Sequence, residues 1–98
     1  MSKVSERLSA AGIVLPEPVA PIANYVPFVR AGDLVHISGQ VSLDSSGGIT
    51  GTVGVDVDMA TAVRAARLCG INLLAQMRVA CEGDLDRVTR VVKLGGFV

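Results

Sequence analysis

Leu34-Val35-His36-Ile37-Ser38-Gly39-Gln40-Val41 is the stretch whose reading decides the fold. It reads as a buried β-strand that ends in a small, polar, glycine-containing corner. Apolar scaffold gives way to hydrogen-bonding groups within one residue, at Ser38. One wall of any chemical site is expected here. Upstream, Tyr25-Val26-Pro27-Phe28-Val29-Arg30 has the same strand character, and Pro27 marks an edge position or a bulge. Between the two runs, Ala31-Gly32-Asp33 offers the positive φ and side-chain-to-backbone bonds that a tight turn needs. An antiparallel hairpin follows from that spacing.

Downstream, Leu43 to Gly48 reads as a loop, and Gly48 to Val53 as a short third strand weakened by its glycines. From Asp58 the period becomes helical. Asp58 suits an N-cap, and the helix is predicted from Met59 to about Cys81. Ala62, Ala66, Cys69, Leu73, Met77 and Ala80 fall at three- and four-residue steps, as one apolar stripe does. Val63, Leu74 and Val79 flank the stripe, while Arg64, Arg67, Gln76 and Arg78 take the wetter side. Small residues at 62, 65, 66, 69 and 70 suggest a face pressed closely onto a sheet. Glu82-Gly83-Asp84 ends the helix, Asp84 to Arg87 makes a turn, and Val88 to Val98 is the last predicted strand.

At the N-terminal side, residues 2–11 form an amphipathic helix candidate with Ser2 or Ser5 as cap and Gly12 as stop. Leu15 to Pro21 holds three prolines and must be an extended strap. The organisation is therefore one domain over 1–98: helix and strap over 2–21, and a partial α+β core over 24–98. One long helix covers a mixed or antiparallel sheet. The layer looks incomplete at its C-terminal side, where strand character persists to Val98, so the sequence is read as the N-terminal portion of a longer protein.

Bulk properties narrow the function classes. Half of the 98 residues are apolar and 18% are charged, which excludes a disordered chain. A body this small cannot hide so much apolar surface, so partner subunits should cover some of it. Zero net charge, unclustered basic residues and three aromatics argue against nucleic acid or an anionic membrane as partner. No run of apolar residues is long enough to span a bilayer, and the mixed polar start is not a secretory signal. Cys69 and Cys81 lie about 18 Å apart along one helix, beyond disulfide reach. They read as reduced core thiols of a cytoplasmic protein.

Asn24-Tyr25, Ile37-Ser38-Gly39-Gln40-Val41 and Arg90-Val91-Val92-Lys93-Leu94-Gly95-Gly96-Phe97-Val98, in that order around hairpin, loop and helix, carry a resemblance. The sequence resembles the RidA family, also called YjgF or L-PSP, and specifically its longer-chain branch. The resemblance implies a chorismate-mutase-like fold assembled as a homotrimer, with sites in clefts between subunits. It implies hydrolysis of reactive enamines and imines to 2-oxo acids and ammonia, with no metal or cofactor. Tyr25 and Ser38 match the tyrosine and serine that help line the family's pocket. The family's substrate-binding arginine belongs to a later segment, and Arg30, Arg64, Arg67, Arg78 and Arg90 do not match it. No catalytic residue is assigned within this sequence.

Substrate-binding candidates are thus Tyr25, Ser38 and Gly39, the glycine for close approach of a ligand or neighbouring strand. Ser38 has the plainer option of satisfying a strand-end backbone group. Gln40 reads as structural, His36 as a hydrogen-bonded core or interface residue, and Phe97 as core. No second histidine exists to build a metal site, and no phosphate-loop or nucleophile-elbow pattern occurs. The alternative to a deaminase is a non-catalytic module that binds small metabolites or serves oligomeric interaction. A ribonuclease is a weaker third reading.

Overall fold

The structure, a computed structural model, describes residues 3–18, 23–44 and 46–98. Elements in chain order are α1 (Lys3–Ala10), β1 (Phe28–Ala31), β2 (Leu34–Ile37), β3 (Leu43–Asp44), β4 (Gly47–Gly48) and α2 (Met59–Ala80). A single 3-10 turn follows at Leu85–Arg87. The architecture is α+β: two antiparallel strand pairs, β1-β2 and β3-β4, and one long helix that packs on β1, β2 and β3.

The hairpin forms as the sequence predicts, with Phe28 opposite Ile37 and Ala31 opposite Leu34. Its connection is two residues, Gly32-Asp33, one fewer than expected, because Ala31 still pairs. Gly32 has φ +61°, the value a two-residue hairpin needs at its first central position. Ladder pairing starts only at Phe28, because Pro27 has no N–H to donate. At the other end, β2 stops at Ile37, four residues short of the predicted Val41.

The third strand expected over Gly48 to Val53 does not form. Leu43-Asp44 instead pairs with Gly47-Gly48 in a tight hairpin, and the Asp44 carboxylate accepts from the Ser46 N–H at 2.8 Å. Beyond it, Gly51 at φ +141° and Gly54 at φ +88° leave the strand region altogether. Glycine is obligatory at Gly51. A β-carbon there would lie 2.5 Å from Val57 Cγ2 and 2.8 Å from Asp56 Oδ1.

α2 obeys its sequence signals at both ends. Asp58 caps it, accepting from the Thr61 N–H at 2.8 Å. Hydrogen bonds from the Thr61 side chain and then its N–H hold the Asp58 carboxyl below its ordinary range. At the far end, Gly83 N–H reaches the Arg78 carbonyl and Glu82 N–H reaches that of Val79, a Schellman closure. Its left-handed position is Glu82, at φ +56°, and Gly83 beside it is also at positive φ, +92°.

The buried face of α2 is rotated from the predicted stripe. Asn72, Ala75 and Gln76 are buried, whereas Ala66 is exposed. Gln76, assigned to the wet side from sequence, is 1% exposed. One position of rotation is about 100° of helix, so the error is a single residue of phase. Gly70 meets nothing within 4 Å, so a close sheet approach does not account for it. Cys81 and Leu85 complete the small core, and both cysteines are free thiols.

α1 ends as predicted at Gly12 (φ +72°), with Ile13 N–H on the Leu8 carbonyl. The described residues show a long-range cap at its start. Ser2 lies outside the described residues, and Ser5 sits inside the first turn. The Asp86 carboxylate, 83 residues away, accepts from the N–H groups of Lys3 at 2.7 Å and Val4 at 2.9 Å. These two donors, Val4 first, draw the Asp86 carboxyl below its ordinary range. The strap shows no helix or strand at Leu15 to Pro18, and Val19 to Pro21 lie outside the described residues.

Residues 88–98 correct the sequence reading most. They are described, yet they join no ladder. Val92 and Leu94 are exposed, and Phe97, expected in the core, is fully exposed. Strand propensity specifies an extended backbone but not a partner, and the described residues offer this segment none.

Two consequences can be measured. Replacing Gly70 by Ala should stabilise the protein by about 1 kcal/mol in urea denaturation, since the helix interior gains propensity and nothing is displaced. Asp86 favours the folded state when ionised, so its contribution is complete above the ordinary carboxylate range and is lost as pH falls through its lowered folded value. The Val4 amide proton should therefore titrate with a midpoint below 3.8, and Asp86→Asn should abolish that titration in an NMR series.

Candidate functional site

Segment 38–43 leaves the end of β2 and is fastened from three directions. Toward β1, the Ser38 N–H donates to the Pro27 carbonyl at 2.9 Å and the Ser38 hydroxyl donates to the same oxygen at 3.0 Å. Both donors of one residue therefore fall on a carbonyl whose own residue has no N–H to return. Toward α2, Asn72 Nδ2 donates to the carbonyls of Val41 and Leu43, each at 2.9 Å. Toward the following loop, the Ser42 hydroxyl donates to the Ile49 carbonyl at 2.7 Å and the Ile49 N–H returns to Ser42 at 2.9 Å. Gln40 closes the corner on itself, donating from Nε2 to the Ser38 carbonyl at 3.2 Å.

Ser38 thus takes the plainer of its two sequence readings, satisfying a strand-end carbonyl. That geometry still leaves something for chemistry. Its hydrogen is committed to Pro27, so the oxygen presents lone pairs and acts as an acceptor. Gly39 is exposed, and a β-carbon there would meet no atom within 4 Å. The close approach expected at Gly39 is therefore absent within this chain, and the corner opens outward at that residue. Tyr25 lies two residues before Pro27, at the same end of the hairpin, and is 44% exposed.

His36 pairs across from Val29 and is exposed, not a core residue. It shares a strand face with Ser38, but two residues of strand separate them by about 7 Å, too far for a hydrogen bond. His36 therefore does not activate Ser38 as a nucleophile. Arg30 bonds the Gly32 carbonyl at the turn, about 10 Å of strand from the corner. Arg87 sits against Glu82 (3.9 Å) and the Cys81 carbonyl, beyond the end of α2. Arg64 and Arg67 are exposed on that helix, more than two turns and more than one turn before Asn72 respectively. No arginine of the described residues is bonded to the corner.

The two carboxylates drawn below their ordinary range, Asp58 and Asp86, serve helix N-termini. No group of three His, Cys, Asp or Glu suited to a metal occurs among the described residues. An open hollow of about 390 Å³ lies elsewhere, lined by Lys3, Val4, Arg7, Asp86 and Val88. Its carboxylate is already spent on α1, and the corner residues are not part of it.

The residue missed from sequence is Asn72. Its signal was available: Asn72 and Gln76 are amides one helical turn apart, interleaved with Cys69, Leu73 and Ala75. Amides on an apolar helix face, once buried, require hydrogen-bond partners from another element.

Residues 5–98 match a family model described as "YjgF/chorismate_mutase-like, putative endoribonuclease". The chain belongs to the YjgF family. Its α+β layer is accordingly of the YjgF/chorismate-mutase-like type. Protein TCP17 of Trypanosoma cruzi is 43% identical over 97 residues, which are 98% of this chain and 60% of that protein. Among solved structures, Atu1372 of Agrobacterium tumefaciens, a protein described as of unknown function, is 46% identical with a TM-score of 0.77. A "putative endoribonuclease" from Shewanella oneidensis is 34% identical with a TM-score of 0.83. These alignments cover 91% and 89% of this chain and 54% and 58% of those chains. The chain thus spans between half and two thirds of the length of the relatives it matches. No helix among the described residues is long and apolar enough to cross a membrane.

Gly39 offers a clean probe of the outward opening. Gly39→Ala should change folding stability by less than about 1 kcal/mol, as read from urea denaturation, because no internal neighbour is met and no positive φ is required. A larger loss would reveal an internal contact at the corner.

Proposed function

We propose that the Ser38 corner forms one wall of a pocket that hydrolyses reactive enamines and imines to 2-oxo acids and ammonia. The observation that supports this most is the Ser38 oxygen, oriented by Pro27 as an acceptor beside the open space at Gly39. An enamine takes a proton on carbon and gives one up from nitrogen, which makes it the imine. Water then adds across the C=N bond, its oxygen to carbon and a proton to nitrogen. In the carbinolamine the hydroxyl loses its proton and forms the C=O bond while the C–N bond breaks and nitrogen, taking up a proton, leaves as ammonia. Ser38, as an acceptor, orients the imine N–H or the attacking water. Tyr25 lines the same wall, and Gly39 leaves room for the ligand.

The substrate carboxylate requires a bidentate cationic partner. The arginines bonded within this chain hold the hairpin turn and the end of α2. The reading therefore places the carboxylate-binding arginine in the part of the relatives' length that these residues do not span. A homotrimer would bring such a segment to the corner from a neighbouring subunit. The apolar surface left exposed at Val29, Leu34 and Val41 favours such an assembly. The endoribonuclease wording of the family description is a weaker guide for this chain, whose zero net charge and three aromatics give RNA little to hold.

The assay is ammonia release from 2-iminobutanoate generated in situ. The intact trimeric protein should accelerate it over buffer, and residues 1–98 alone should not. Ser38→Ala should lower the rate roughly fivefold to tenfold, the value of about 1 kcal/mol for one neutral hydrogen bond. Saturable binding of imine or oxo-acid analogues without turnover would instead assign a non-catalytic metabolite-binding role. Tight, salt-sensitive RNA binding would overturn both.

A further inference from the structure

We infer that Asn72 is the positioning residue of the Ser38 corner, fixing the pocket wall from helix α2. The inference rests on the proposed use of that corner, and it concerns a residue that contacts no substrate itself.

Asn72 is 3% exposed in the middle of a 22-residue helix. A polar amide at such a depth costs free energy unless its hydrogen bonds are made. Both hydrogens of Nδ2 are used, one on the Val41 carbonyl and one on that of Leu43. These two carbonyls belong to peptide groups two residues apart, bridged by a further bond from the Leu43 N–H to the Val41 oxygen at 2.9 Å. Turning both toward one nitrogen fixes the orientation of the intervening peptides.

Only a terminal NH2 on a two-atom stem satisfies this geometry. Aspartate offers no donor when ionised and sets a negative charge against two carbonyl oxygens. Leucine fills the volume but strands both acceptors. Glutamine carries the donor one methylene too far. The side chain is thus chosen for the chemistry of the segment it holds, in a place where an apolar residue would serve simple packing.

The placement gives the bond pair its functional reach. Ser38-Gly39-Gln40 lies between two anchors, Pro27 on the β1 side and Asn72 on the α2 side. With the second anchor gone, the corner keeps its β-strand end but loses the constraint on where Gly39 faces and where the Ser38 oxygen points. Misplacement of a pocket wall by about 1 Å can cost two orders of magnitude in rate.

The test begins with the unaltered protein. Scalar couplings across hydrogen bonds should link the Asn72 side-chain nitrogen to the carbonyl carbons of Val41 and Leu43. Their absence from the spectrum of the folded protein would overturn the inference without any variant. Asn72→Leu should then leave amide exchange in the turn at Arg30 to Leu34 within twofold of the parent. Exchange over Gly39 to Leu43 should accelerate at least tenfold. In the imine assay, kcat/KM should fall at least tenfold, mostly through KM. Equal acceleration in both regions, or in neither, would make Asn72 an ordinary structural residue and overturn the inference. Should the parent protein show no turnover, the deaminase reading fails, while the couplings and the exchange pattern still decide the role of Asn72.

Discussion

Asn72 offers two hydrogens to the carbonyls of Val41 and Leu43, and those bonds join the long helix to the chain that leaves the hairpin. Little else in this small core is large. Among the described residues, Ala75, Cys81 and Leu85 are its buried apolar side chains, and Gln76 is its largest fully buried one. Area burial of a few small residues defines only loosely how a helix sits on a strand pair, because dispersion has no direction. A pair of directional bonds from one buried amide supplies what packing lacks, a fixed rotation and height of α2 against the corner. The Ser38 pair with Pro27 and the Ser42 pair with Ile49 then add to a segment already held.

Legibility from sequence followed the range of each interaction. α2 was readable because its cap, its period and its stop lie within a few residues of one another: Asp58 to Thr61, the apolar steps, and Glu82-Gly83. The hairpin was readable because Gly32-Asp33 demands a tight turn between two strand-prone runs. The carboxylate on the first turn of α1 was not, since Asp86 and Lys3 meet only in space. Helix phase failed by one residue because apolar periodicity carries no weight for an amide that packs inward. The strand expected over 48–53 failed for a backbone reason, the positive φ of Gly51, and the segment 88–98 failed because extended preference does not name a partner.

For the site, the corner was legible and its mechanics were not. A strand that turns polar at Ser38 announces hydrogen bonding, yet only the folded structure has the hydroxyl donating to Pro27 and Gly39 facing outward. Family membership was carried by short segments in the right order, and the match over residues 5–98 bears that out. Of the residues quoted for the resemblance, Ile37 to Val41 form the corner itself, while Asn72, which orders it, lies on another element and shows in sequence only as a polar interruption of a helix face.

The long-range cap on α1 also bears on the order in which this chain folds. The carboxylate that satisfies the first turn belongs to the 3-10 turn at Leu85–Arg87, which itself follows the completed end of α2. An isolated eight-residue helix is far below the length that is stable alone in water. Residues 3–10 are therefore helical as a result of docking, with the entropy of closing the intervening chain already met by the body formed in between. The helix nearest the start of the sequence thus depends on a contact that exists only once the far end of α2 is in place.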